Sequence, residues 1–226
     1  MMLAIETATD ACSVAIGDGA RVLMDHHVAP RQHNRLVLQM IDDLLVRAGV
    51  GRTDLSALAI GRGPGSFTGV RIAASIAQGL ALALGLPVAC ISTLEVLAHG
   101  ALRAVPTARG VVAAIGSTPA QHFLGAFAAR DGRLARVVDD CSLPTATALP
   151  VSIADDWIAA GPSSASLCAL ARSSGRALQP SGVMHPSADD LIVLGMREIE
   201  AGRGVDAQGA LPVYLDGDGP WRKRTR

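Results

Sequence analysis

The feature that most constrains the fold is a pattern that occurs twice, in which a strand, a turn and a second strand are followed by helices. In the first half, residues 3–6 and 12–16 have the apolar or alternating character of strands, and a polar turn joins them. In the second half, residues 111–115 and 123–129 repeat this arrangement. The repetition predicts an α/β fold in which two similar units face each other across a cleft.

The two predicted subdomains comprise residues 1–104 and 105–226, because a linker separates the strands and helices on either side of it. The first contains helices at about 33–48 and 68–84, with a glycine-rich segment before the second helix. The second subdomain ends in a basic tail at residues 221–226.

The first helix carries an apolar stripe at helical spacing, and Gly49 ends it. The stripe consists of Val37, Met40, Ile41, Leu44, Leu45 and Ala48. Leu36, Leu38 and Val46 widen the apolar arc beyond one core-facing stripe. That extra width indicates either packing within a thick domain or a surface for a partner, and the pattern leaves both open. The second helix is rich in alanine and glycine, which allow another backbone to approach closely.

The composition excludes several classes of chemistry. The 226 residues have a formal net charge of zero, which argues against a broad basic surface for nucleic acid. Lys223 is the one lysine, so no lysine before the tail can form a Schiff base, hold phosphate in a P-loop or act as a base. The four cysteines form no C-x-x-C pair, and the N-terminus does not have the pattern of a signal peptide. We therefore expect free thiols and a cytoplasmic protein.

Residues 72–94 carry no formal charge and are numerous enough to span a bilayer. However, Gly85 and Pro87 interrupt the apolar run, and several hydroxyl and amide side chains dilute it. A buried helix followed by a buried parallel strand explains the run better, so no membrane association is expected.

The glycine-rich segment at residues 61–69 has two interpretations. A strand–loop–helix with Gly63, Gly65 and Gly69 would present backbone N–H groups to an anion, with Ser66 and Thr68 nearby. However, the segment has neither the lysine of a P-loop nor the glycine spacing of a dinucleotide fold. The spacing favours a tight connection in which the backbone passes close to a neighbour.

The turn between the first two strands is a second candidate for phosphate binding. Thr7, Thr9 and Ser13 supply hydroxyls there, and Asp10 ends the turn. Since β-turns in general favour such residues, a structural role is the preferred interpretation.

Metal and hydrolase sites are not predicted. The six histidines form no H-x-x-x-H pair, and no serine lies in a G-x-S-x-G elbow. His33, in the first turn of the first helix, is more typical of a structural than of a catalytic residue.

The string Gly61-Arg-Gly-Pro-Gly-Ser-Phe-Thr-Gly-Val-Arg-Ile72 resembles one family closely. This family is TsaB, also called YeaZ, of bacterial tRNA threonylcarbamoyladenosine biosynthesis. Residues 3–15, 30–33, 77–81, 92–94 and 212–215 resemble the same family. The match follows the family's order along nearly the whole chain, and it is dense over the first hundred residues.

The resemblance implies an actin-like/Hsp70-like ATPase fold, with two similar subdomains of mixed sheets flanked by helices. It also implies a non-catalytic scaffold that activates a TsaD-type sibling. That sibling transfers threonylcarbamoyl from threonylcarbamoyl-adenylate to the adenosine next to the tRNA anticodon. A TsaE-type ATPase joins the pair, the chain pairs with itself when alone, and tRNA is met through the complex.

The resemblance further assigns residues to sites. Nucleotide, as ATP or ADP, would meet Thr7, Thr9, Asp10 and Ser13. The partner surface would consist of His33, Val37, Met40, Ile41, Leu44, Val70, Ala73, Ala74 and Ala77.

Several positions depart from the pattern of the family and its sibling. The sibling's two metal-binding histidines correspond to Thr93 and Leu97, which supply no imidazole. The second phosphate hairpin, at Gly116, Thr118 and Gln121, lacks an expected carboxylate, and Asp216 replaces an arginine. These departures weigh against two alternatives, an active ATP-dependent phosphotransferase or ATPase and a metallopeptidase-like enzyme.

Overall fold

The structure, a computed structural model, describes residues 1–118, 120–130, 132–145, 149 and 156–215. Asp216 and the basic tail lie outside these residues. The strands are β1 Met2–Glu6, β2 Ala11–Gly17, β3 Val22–Val28, β4 Ala57–Gly61, β5 Val88–Ile91, β6 Gly110–Thr118, β7 Gln121–Arg130, β8 Arg133–Pro144, β9 Trp157–Ala160 and β10 Gln179–Pro180. The helices are α1 His33–Ala48, α2 Phe67–Leu84, α3 Thr93–Ala104, α4 Ser164–Ser173 and α5 Ala188–Glu200.

The strands form two five-stranded sheets with one connectivity. The first sheet has the order β3-β2-β1-β4-β5, and the second has the equivalent order β8-β7-β6-β9-β10. In each sheet the first three strands form an antiparallel meander, and the last two are added in parallel. The predicted α/β fold with a duplicated unit is therefore confirmed.

The helices cover both faces of each sheet, but the last helix of each unit packs on the sheet of the other unit, so the units exchange these helices. Helices α1 and α2 pack on one face of the first sheet, and α5 covers its other face. Helix α3 instead packs on the second sheet, whose opposite face carries α4. The boundary at residue 104 thus separates the strands of the two sheets, although the helix before it belongs by packing to the second unit.

Local sequence signals explain most of the helix ends. Gly49 ends α1 in the left-handed conformation, with a φ of 68° that glycine adopts without strain. The side chains of Ser66 and Ser92 accept backbone hydrogen bonds at the starts of α2 and α3. Ser187 precedes α5 as predicted, but its hydroxyl makes no capping bond and faces a methionine sulfur instead.

The second unit departs from the prediction at its first hairpin. Instead of turning at Gly116, β6 continues to Thr118 through an irregularity in its pairing with β7. Glycine and threonine are typical of turns, but here the antiparallel ladder includes both Gly116 and Thr118. The sequence predicts a turn at residues 116–119, and its last residue, Pro119, lies outside the described residues.

A buried carboxylate joins the exchanged helices. Asp190 of α5 lies 2.9 Å from the Nδ1 atom of His99 and accepts two hydrogen bonds of 3.0 Å from Arg103, both on α3. Burial pushes the pKa of Asp190 upward, but the hydrogen bonds from His99 and Arg103 outweigh it and the pKa is lowered. The two units are therefore held together by charge as well as by apolar contact.

All four cysteines are described and are free thiols. Burial, reinforced by the nearby Glu6 carboxylate, raises the pKa of the Cys12 thiol to about 11. That thiol stays protonated at neutral pH and has little nucleophilic character.

Helix α2 is long and apolar enough to cross a membrane by length and composition. Its inner stripe lies in the core against the first sheet, as predicted for a buried helix. On its outer side, Leu82 is exposed.

Candidate functional site

The glycine-rich loop between β4 and α2 lies directly on the turn between β1 and β2. The N–H of Ser66 donates to the Ala8 carbonyl at 2.7 Å, and the Thr7 hydroxyl donates to the Gly69 carbonyl at 2.8 Å. A Cβ atom on Gly69 would lie 2.0 Å from the Thr7 carbonyl oxygen, and one on Gly65 2.4 Å from that of Ala8. The close-approach interpretation of the glycines is therefore confirmed.

Three of the loop N–H groups that could hold an anion already have partners. The Gly63 N–H donates to the Thr93 hydroxyl at 3.2 Å, and the Gly69 N–H donates to the Ser66 hydroxyl at 3.3 Å. With the Ser66 N–H bonded to the turn, these three donors are used inside the chain. Thr68 is exposed in the first turn of α2 and faces away from this contact.

The predicted nucleotide residues lie around the same turn, and their hydroxyls are also engaged. Besides the Thr7 bond, the Thr9 hydroxyl lies 3.3 Å from the Nδ1 atom of His185, and Ser13 accepts the Ala188 N–H at 2.9 Å. Asp10 is exposed. The hydroxyls thus fix the turn and the start of α5, and nucleotide binding stays a prediction.

Glu6 is a residue that the sequence analysis missed. Its carboxylate is fully buried, accepts the Ala8 N–H at 2.7 Å and accepts the Thr93 hydroxyl at 3.3 Å. Because Thr93 also binds Gly63, Glu6 connects the turn, the loop and α3. Burial raises its pKa from 4.5 to about 7, although its hydrogen bonds act in the opposite direction. The available signal was an acidic residue ending an otherwise apolar strand.

The residues predicted to meet a partner are buried in this subunit, and their role at a partner surface stays a prediction. These are His33, Val37, Met40, Ile41, Leu44, Val70, Ala73, Ala74 and Ala77, none of them more than 7% exposed. They form the stripe of α1 and the inner face of α2 that pack on the first sheet, apart from His33, which begins α1. The Nε2 atom of His33 has no hydrogen-bond partner among the described residues.

The outer face of the same two helices is exposed and apolar. Leu38 and Val46 on α1 are 57% and 80% exposed, and Leu82 on α2 is 80% exposed. A groove of about 470 Å³ runs between the helices. Its lining includes Val37, Leu38, Phe67, Arg71, Ile72 and Ser75. Two of the residues that widen the apolar arc of α1, Leu38 and Val46, therefore face outward, whereas Leu36 packs against the core.

An aromatic cluster ends this groove. The Arg71 guanidinium carbon lies 3.5 Å from the centre of the Phe67 ring, and its Nε donates to the Tyr214 hydroxyl at 2.7 Å. The segment carrying Tyr214 is anchored by the Val213 N–H, which donates to the Arg62 carbonyl at 2.8 Å. Residues 212–215 thus complete the edge of the helical face.

The positions corresponding to the sibling's metal ligands have structural roles here. Thr93 and Leu97 are fully buried, and Thr93 belongs to the Glu6 network. In the second hairpin, Gly116 and Thr118 are exposed at the end of β6. No group of three potential metal ligands occurs within the described ranges.

Sequence comparisons relate this chain to proteins of tRNA threonylcarbamoyladenosine biosynthesis. A family model described as TsaD, tRNA N6-adenosine threonylcarbamoyltransferase, matches residues 27–190. The tRNA threonylcarbamoyladenosine biosynthesis protein TsaB of Escherichia coli K12 is 35% identical over 225 residues, covering 98% of this chain and 97% of that protein. A TsaB from Haemophilus influenzae is 47% identical over 114 residues, covering 50% of this chain and 48% of its own.

A solved structure extends this similarity to three dimensions. YeaZ from Pseudomonas aeruginosa superimposes with a TM-score of 0.81 at 39% identity, covering 95% of this chain and 99% of that one. A tRNA N6-adenosine threonylcarbamoyltransferase from Ralstonia pickettii is 31% identical over 112 residues, which are 42% of this chain and 32% of that enzyme. The expected actin-like arrangement is confirmed by the family model and the solved structure.

Proposed function

The chain belongs to the TsaB family of tRNA threonylcarbamoyladenosine biosynthesis proteins, and we propose that it acts there as a non-catalytic subunit. Its role is to bind and activate a TsaD-type transferase, which carries out the transfer of threonylcarbamoyl to tRNA. A TsaE-type ATPase completes the complex, and tRNA is contacted mainly through the partners. The chain works in the cytoplasm and pairs with itself when the transferase is absent.

The observation that carries this proposal is the exposed apolar face of α1 and α2. Leu38, Val46 and Leu82 project from it, and the groove between the helices gives a complementary helix a place to pack. Burying large apolar side chains stabilises association by about 25 cal/mol per Å² of area removed from water. A TsaD-type sibling suits this face, because the match of the TsaD family model indicates a related fold with corresponding helices.

The small residues of α2 permit a close helix–helix contact. Ser75 and Gly79 are exposed on the outer side of α2, and a Cβ atom on Gly79 would meet nothing within 4 Å. Glycine inside an exposed helix costs about 1 kcal/mol relative to alanine, and this subunit gains no packing from it. A glycine at this position is explained if a partner's helix packs closely against it, because a side chain there would keep the two backbones apart.

The interior of the chain supports the absence of chemistry. Thr7, Thr9 and Ser13 use their hydroxyls within the fold, and the N–H groups of Gly63, Ser66 and Gly69 are bonded to groups of the chain itself. Gly116 and Thr118 are exposed at the end of β6, and neither residue offers a carboxylate for a metal-bound nucleotide. We therefore infer that neither nucleotide nor metal is required by this subunit for its own part in the reaction.

Reconstitution tests the function directly. The purified TsaD-type and TsaE-type partners, threonylcarbamoyl-adenylate and tRNA are combined with and without this chain, and modified adenosine is quantified by mass spectrometry. We expect modification to depend on the chain. Equal modification in its absence contradicts the proposal, and so does ATP turnover by the chain alone at a rate matching tRNA modification.

Substitutions on the outer face test the docking surface. We expect Leu38→Arg and Ser75→Arg to abolish co-purification with the transferase while circular dichroism and melting temperature stay unchanged. Val137→Arg is the matched control, since Val137 is a 49% exposed apolar residue on β8 in the other unit. Ala74 is unsuitable because it is buried, and an arginine there would disrupt the core. A complex that survives both outer-face substitutions excludes this surface.

A further inference from the structure

A cavity lined by arginine lies away from the docking face, where β5, α3, β8 and the C-terminal half of α5 meet. Its volume is about 300 Å³. The arginines in its lining are Arg62, Arg133, Arg136, Arg197 and Arg203. They come from separate elements of both units, in a chain whose net charge is zero. Such a concentration of one charge requires an explanation.

Two of these arginines are neutralised by neighbouring carboxylates. Arg136 donates to Glu95 at 2.7 Å and also pairs with Asp140. Arg203 makes two hydrogen bonds to Glu198, at 2.8 and 2.5 Å. These pairs form fixed walls, because a carboxylate holds each guanidinium in place.

The other three arginines have no such partner. Arg62, Arg133 and Arg197 are exposed, and none of them forms an ion pair with a described acidic residue. They extend from the start of the glycine-rich loop, from β8 and from α5 respectively. The five arginines face three carboxylates, those of Glu95, Asp140 and Glu198, so the cavity carries an excess of two positive charges.

We propose that this cavity binds the terminal phosphate or diphosphate group of a small molecule. Guanidinium groups bind phosphate oxygens through paired N–H donors, which gives both strength and orientation. An excess of two positive charges matches the two or three negative charges of a terminal phosphate or pyrophosphate. A single carboxylate or a backbone phosphodiester, each with one charge, balances them less well.

The cavity is distinct from the two regions already described. The outer groove lies across the first sheet from α5, on the side of α1 and α2. The turn with Thr9 meets His185, before the start of α5, whereas the cavity includes Leu194 and Arg197 near its end. A ligand here would contact β8 of the second unit and α5 on the first, and so would hold the units in one relative position.

Isothermal titration of the chain alone with inorganic pyrophosphate and with ADP tests the site. We expect binding that weakens as ionic strength rises and that falls at least ~10-fold in Arg133→Ala and in Arg197→Ala, as loss of a charge-assisted hydrogen bond predicts. Arg21→Ala is the matched control, because Arg21 is exposed on the loop between β2 and β3 and remote from the cavity. The control should change the affinity less than about twofold.

Three results overturn the proposal. The first is a Kd weaker than about 10 mM for both ligands. The second is unchanged affinity in Arg133→Ala and Arg197→Ala variants that melt at the wild-type temperature, since binding then occurs elsewhere. The third is displacement of pyrophosphate by dephosphorylated tRNA, which assigns the arginines to backbone phosphodiesters. Because the transferase is not needed, these results are independent of the proposed role in the complex.

Discussion

The first and second units share one strand order, but they differ at one contact, which we call the crossing. There the first strand of the unit, β1 or β6, meets the loop that follows the fourth strand, β4 or β9. By strand register, Glu6 of β1 corresponds to Ala114 of β6, and Gly61 corresponds to Gly161. A Cβ atom on either glycine would clash, with the Glu6 carboxylate in one unit and with the Ala114 carbonyl in the other. Both units therefore require close packing at this point, but only the first places an ionisable group there.

This difference teaches that shared topology does not determine how the crossing is stabilised. In the first unit, the Glu6 carboxylate connects the turn, the loop and α3 through Ala8 and Thr93. In the second unit, the Ser163 hydroxyl lies 3.1 Å from the Nδ1 atom of His122, and a Cβ atom on Gly116 would meet that hydroxyl at an ordinary contact distance of 3.7 Å. The first crossing is dense and polar, and the second is looser.

The largest expected effect contrasts the tight and open glycines. We expect Gly69→Ala to destabilise the chain by more than about 3 kcal/mol, because its Cβ would overlap the Thr7 carbonyl and the turn would have to move. Gly116→Ala should cost less than about 0.5 kcal/mol, since its Cβ would meet Ser163 at an ordinary 3.7 Å. Urea unfolding measures both. Equal losses would show that the two crossings are equally tight.

The next prediction concerns the ionisable group of the first crossing. Because the folded pKa of Glu6 is raised to about 7, the folded chain holds a proton that the unfolded chain releases near 4.5, and stability falls as pH rises between those values. Glu6→Gln removes this dependence. Its stability relative to wild type should increase by about 3 kcal/mol from pH 4 to pH 8. The exposed Glu200→Gln serves as control, and a pH-independent difference for Glu6→Gln contradicts the account.

A smaller effect is expected at the contact between the units. Asp190→Asn should cost about 2 kcal/mol at pH 7, because hydrogen bonds from Arg103 and His99 lose their charged acceptor. The pKa of Asp190 is lowered, so its contribution is complete above the ordinary carboxylate range and disappears as pH falls through the folded pKa. Asp42→Asn, in an exposed pair with Arg52, should cost at most about 0.5 kcal/mol. Denaturant titrations at pH 7 and pH 3 separate the two.

The smallest expected effect is a gain. Gly79→Ala should stabilise the isolated chain by about 1 kcal/mol, because its Cβ meets nothing and alanine favours the helix. Gly100→Ala on α3 should destabilise it, since its Cβ would lie 2.7 Å from the Asp190 carboxylate. Thermal unfolding measures whether each substitution raises or lowers the stability of the chain. If Gly79→Ala also leaves transferase binding intact, the close-contact role of Gly79 is wrong.

Much of the fold could be predicted because its signals are local. The apolar periodicity and Gly49 predict the bounds of α1 as the structure has them. The duplicated strand pattern predicts that two similar units exist, but it does not predict the strand order within either sheet. The hairpin after β6 was misplaced because glycine and threonine also occur inside twisted, irregular strands.

The sites were harder because periodicity identifies a stripe without saying what covers it. Val37 and Ala74 were assigned to a partner, but the best-spaced stripe packs on the chain's own sheet. Leu38, which only widens the stripe, is the residue that faces outward. The arginine cavity has no local pattern at all, since its residues are distributed from Arg62 to Arg203 and meet only in the fold.

The exchange of α3 and α5 between the units has a consequence for synthesis on the ribosome. The first sheet is complete once β5 has been made, but the helix that covers its second face ends only at Glu200. At about 5 to 20 residues per second, the roughly 110 intervening residues take on the order of 5 to 20 s to emerge. During that time the nascent chain presents one apolar face of a finished sheet to the surrounding solvent, so we expect this interval to be the one in which the polypeptide most readily aggregates.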